Sequence, residues 1–198
     1  DAGLGEAVVR AGGSYARYAD LAALISALDE GEAVPGTVVL SCPTSDGQAL
    51  TARVRQSLSA VMGAVQQWLG EDRLAASRLV VATCGAVATE TGEGVADLVH
   101  APVWGLVRSA QTENPGRFLL LDHDPGHGRE ISPAEADAAV RVLAGGEEPQ
   151  VAVRGGTVLV PRLSRVAKPA TREGAARLVS GGTVLVTGAS GVLAGVVA

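Results

Sequence analysis

Leu79-Val80-Val81-Ala82-Thr83 is a run of apolar and β-branched residues with no polar position before its last member. A strand with one wet face alternates apolar and polar residues. A run that is apolar on both faces belongs inside a parallel sheet, with helices covering it from either side. Phe118-Leu119-Leu120-Leu121-Asp122 carries the same signature further along the chain. Thr37-Val38-Val39-Leu40, set between Pro35-Gly36 and Pro43, reads as another β-branched strand.

Helical patterns lie between these strands. Leu21, Leu24, Ile25 and Leu28 recur at spacings of three and four. Residues 51 to 69 hold the longest pattern, with Val54, Leu58, Val61, Met62, Val65, Trp68 and Leu69 on one stripe. A third helix is expected from Pro102 to Thr112, stopped by Asn114-Pro115-Gly116. Ser132-Pro133-Ala134-Glu135 is the sharpest local signal, because serine can cap, proline suits the first helical position and glutamate can close a capping box. Val151–Arg154 and Thr157–Val160 flank Gly155-Gly156, which predicts a tight antiparallel hairpin. The short run Ala7–Arg10 reads as an edge strand. Alternating strands and helices predict an α/β fold with a mostly parallel sheet flanked by helices.

Composition limits what this fold can do. The chain has 198 residues, of which 47% are hydrophobic and 3% aromatic, so its core must be aliphatic. Its formal charge is −5 and its only lysine is Lys168, which argues against a phosphate-tracking nucleic-acid surface. No run reaches the roughly 18 apolar residues of a membrane helix. Cys42 and Cys84, the only cysteines, end apolar runs without metal or redox spacing and read as structural thiols in a reducing, cytoplasmic setting. Asp1 is not a methionine and Ala198 falls within an apolar segment, so the sequence reads as a piece of a longer chain.

Few residues are arranged for chemistry. His100, His123 and His127 are the only histidines. Asp122, His123, Asp124 and His127 cluster after a strand, but in a Pro-Gly loop without helical convergence, so a solvated loop is expected and no metal site. Reduction of a carbonyl needs a proton donor near the nascent alkoxide, commonly a tyrosine assisted by lysine. Neither Tyr15 nor Tyr18 has a lysine four residues on, and both read as partly buried anchors. Trp104 is expected to pack internally, with Gly105 letting another element approach. No catalytic residue is assigned. Val184 to Ala194 is different: a valine-rich strand enters a turn with Gly188 and Gly191, then leaves as a helix. Glycines let backbone approach a phosphate, and the new helix presents free N–H groups to it.

Together, Pro102-Val103-Trp104-Gly105-Leu106-Val107-Arg108-Ser109-Ala110-Gln111-Thr112-Glu113-Asn114-Pro115-Gly116 and Gly182 to Gly195, with the hairpin from Arg154 to Leu163, resemble the ketoreductase domain of a modular type I polyketide synthase. The resemblance covers nearly the whole chain. It implies a truncated Rossmann-like sheet over residues 1–165, a linker at 166–180, and the first strand and turn of a second Rossmann unit at 181–198. It also implies that the first part is structural and braces a catalytic half. That half binds NADPH and reduces the β-keto group of a thioester on an acyl carrier protein. Thr187, Gly188, Ser190, Gly191 and Leu193 inherit the cofactor-contacting positions, while Ala194 departs from the commoner glycine. The family's catalytic set falls beyond Ala198. The direct passage from hairpin to linker implies no enoylreductase between the halves. The alternative is a reductase-like docking domain that reduces nothing.

Overall fold

A computed structural model describes residues 2–42, 49–90, 92–124 and 131–165. The expected linker and the glycine turn at Thr187–Leu193 lie outside the described residues. In chain order the elements are α1 (Ala2–Arg10), α2 (Leu21–Asp29), β1 (Thr37–Ser41), α3 (Leu50–Gly70), β2 (Arg78–Cys84), α4 (Ala101–Glu113), β3 (Phe118–His123), α5 (Pro133–Gly145), β4 (Gln150–Arg154) and β5 (Thr157–Leu159), with one 3-10 turn at Asp72–Leu74. The five strands form one sheet in the order β1-β2-β3-β4-β5. The first four are parallel, and β5 turns back against β4. The fold is the Rossmann-like α/β architecture the sequence predicts.

The continuous apolar strands explain the two cores. Leu79, Val81, Phe118 and Leu120 point to one face, where they meet α2, α3 and α4 through Leu24, Val61, Trp68, Val103 and Val107. Val80, Leu119, Leu121, Val151 and Val153 point to the other, against Leu4 and Ala7 of α1 and Ala136, Ala139 and Val142 of α5. This partition has a topological consequence. The helices of the first two crossovers lie on one face and that of the third on the other, while the parallel strand order never reverses. The third crossover therefore has the opposite hand to the first two, so at least one departs from the nearly universal right-handed connection.

Local signals account for the ends. Asp20 caps α2 by accepting from the Ala23 amide at 2.8 Å. Ser132 and Glu135 close the capping box at the start of α5. Gly155 and Gly156 both have positive φ, 54° and 82°, as a type I′ hairpin turn requires.

Four expectations need correction. Ala7–Arg10 belongs to helix α1, because Leu4 and Ala7 lie one helical turn apart and both face the α5 core. Met62 is 41% exposed, since α3 is covered from one side only and Met62 sits at the margin of its stripe. Tyr15 and Tyr18 are exposed on the connection between α1 and α2. Trp104 is buried as expected, but no described residue from another element lies within 4 Å of where a Cβ on Gly105 would stand.

Candidate functional site

In parallel α/β sheets, ligands gather at the carboxyl ends of the strands. Here β2 brings Thr83 to that end, β3 brings Asp122 and β4 brings Arg154, and the registers Thr83↔Asp122 and Asp122↔Ala152 align them. All three side chains point to the α4 face. Asp122 is fully buried. Its Oδ1 accepts from Thr83 Oγ1 at 2.6 Å and from the Ala86 amide at 2.9 Å. Its Oδ2 accepts from Arg154 Nη2 at 2.7 Å. Arg154 also donates to the Val87 carbonyl at 2.9 Å, and Glu93 stands 3.9 Å from its Nε. Hydrogen bonds from Thr89 and Glu90, aided by that guanidinium, hold the Glu93 carboxyl below the usual carboxylate range.

Trp104, on the first turn of α4, completes the cluster by donating its indole N–H to Thr83 Oγ1 at 3.0 Å. Arg108 follows one turn later, stacked 5.5 Å over the Trp104 ring and donating to Gln150 Oε1 at 2.9 Å. An aromatic residue and a base at this spacing could serve proton transfer if they were tyrosine and lysine. An indole N–H donates a hydrogen bond but is no acid at neutral pH, and a guanidinium stays protonated. Trp104 and Arg108 here donate hydrogen bonds to Thr83 and Gln150 and form no tyrosine–lysine couple.

A second polar group occupies the opposite face. Glu135, fully buried, accepts from the Asp124 amide at 2.9 Å and from Ser132 Oγ at 2.7 Å. His123, expected on a solvated loop with Asp122, ends β3 as a buried side chain, because β3 runs one residue past Asp122. Its Nδ1 has no hydrogen-bond partner among the described residues. Burial pushes the His123 imidazole below its ordinary value of 6.5, against the pull of Glu135 and Asp122. A histidine with a depressed folded-state pKa gives full stability above its unfolded pKa and loses it as pH falls. Urea midpoints of the wild-type chain should thus drop between pH 7.5 and 5.5 by more than those of His123→Asn. Equal drops would contradict this burial.

His127 lies outside the described residues. His100 is buried at the start of α4, with Nδ1 2.6 Å from Asp97 Oδ2. Cys42 and Cys84 form no disulfide: Cys42, just past β1, packs against the α2–α3–α4 core, and Cys84 ends β2 one residue past Thr83, on the opposite face. Among the described residues no group of three or more His, Cys, Asp or Glu side chains is placed to hold a metal, and no helix is long and apolar enough to cross a membrane. Sequence reasoning missed the Asp122–Arg154 pair. The only available signal was a charge closing each of two neighbouring strands.

Comparison with known proteins places this geometry. Residues 2–163 match the family described as polyketide synthase extender module SpnB, Rossmann fold domain. The chain is 45% identical over 197 residues to polyketide synthase GfsB of Streptomyces halstedii, covering 98% of this chain and 3% of that protein. It is 39% identical over 190 residues to pikromycin polyketide synthase component PikAII of Streptomyces venezuelae, covering 85% and 5% respectively. It thus spans a small fraction of these relatives. A solved C2-type ketoreductase from a modular polyketide synthase superposes with a TM-score of 0.60 at 26% identity, over 80% of this chain and 36% of that one. The chain belongs to the Rossmann-fold domain family of polyketide synthase extender modules, as a ketoreductase-like subdomain of a modular type I synthase.

Proposed function

We propose that residues 1–165 are the bracing, non-catalytic half of a synthase ketoreductase. Residues 166–180 would then be the linker and residues 181–198 the opening of the catalytic half. In the complete domain NADPH would deliver hydride to the β-keto carbon of a thioester carried by an acyl carrier protein. The observation that supports this reading is the buried Asp122–Arg154 pair at the carboxyl ends of β3 and β4. At the carboxyl end of β3, Asp122 presents a buried carboxylate already satisfied by Thr83, Ala86 and Arg154, which offers a phosphate a negative charge and no free donor. On this reading the described residues offer the cofactor no cradle, and its contacts would come from Thr187, Gly188, Ser190, Gly191 and Leu193 with the chain that follows them. The strand order supports the same division, because the described strands contain no reversal at which a binding crevice would open.

The test compares this chain with one extended toward the carboxyl terminus by a further domain of about 250 residues. The extended protein is expected to oxidise NADPH with a β-ketoacyl thioester, and the 198-residue chain to show neither turnover nor micromolar NADPH affinity. Turnover by the short chain, or a folded extended chain without cofactor binding, would overturn the proposal.

A further inference from the structure

We draw no further inference here: the strongest candidate, the open cleft between the second half of α4 and the loop joining α5 to β4, carries nothing, because its Arg78, Arg108 and Gln111 side chains already donate to the Leu143, Gly146 and Pro149 carbonyls and to Gln150, and nothing in the structure shows what covers it.

Discussion

Asp122→Ala is expected to lower the unfolding free energy by about 3–5 kcal/mol, the loss typical of removing one partner from a buried ion pair. The magnitude follows from what is left behind. Arg154 keeps its charge with a side chain only 14% exposed, and Thr83 Oγ1 and the Ala86 amide lose their shared acceptor. Asp122→Asn keeps the shape and one carbonyl oxygen but leaves the guanidinium uncompensated, so it should recover only part of the loss. Replacing the pair together, as Asp122→Leu with Arg154→Met, should cost less than Asp122→Ala, because no buried charge is then stranded. Urea unfolding followed by circular dichroism reads all three. A loss below about 1 kcal/mol for Asp122→Ala would place the pair with exposed ion pairs, contrary to the burial seen here.

Trp68→Ala should be comparably damaging, at about 3–5 kcal/mol. The ring is fully buried in the core between the sheet and α2, α3 and α4, and Arg117 lies 5.6 Å from its centroid. Its indole nitrogen has no hydrogen-bond partner among the described residues. Trp68 therefore contributes volume and ring face, and Trp68→Phe should cost well under half as much. Met62→Ala, six residues earlier on the same helix, provides the contrast: at its exposed position a change within about 0.5 kcal/mol is expected. Equal losses at Trp68 and Met62 would mean that α3 is buried on a wider arc than this structure shows.

The two residues also show where a sequence pattern stops being informative. Met62 and Trp68 share one apolar stripe, and periodicity places both on the covered side. How wide an arc is covered depends on which helices stand beside α3, and α4 and α2 leave the Met62 margin open. Ala7–Arg10 is the same problem at smaller scale. Three apolar residues in a row are compatible with a strand or a helix, and the α5 surface that selects the helix is more than a hundred residues away in sequence. Ser132 to Glu135 and Gly155-Gly156 were legible for the opposite reason, since a capping box and a type I′ turn are decided within a few bonds.

The candidate site divides in the same way. The chemistry missing from it could be read directly, because no tyrosine–lysine pair exists in the chain. The chemistry present could not. Thr83, Asp122 and Arg154 lie at or next to the ends of separate strands spread over some seventy positions, and only the parallel registers bring them within hydrogen-bonding distance.

Local composition by itself determined the buried strands, where the α5 cap and the hairpin fell, and that the sheet was mostly parallel and buried on both sides, because those properties are set by neighbouring residues. The order of the described strands, the face each helix took and the pairing of Asp122 with Arg154 were decided only by the tertiary structure. Each depends on which distant backbone supplies the next hydrogen-bonding partner, and a linear pattern of side chains does not encode that choice locally.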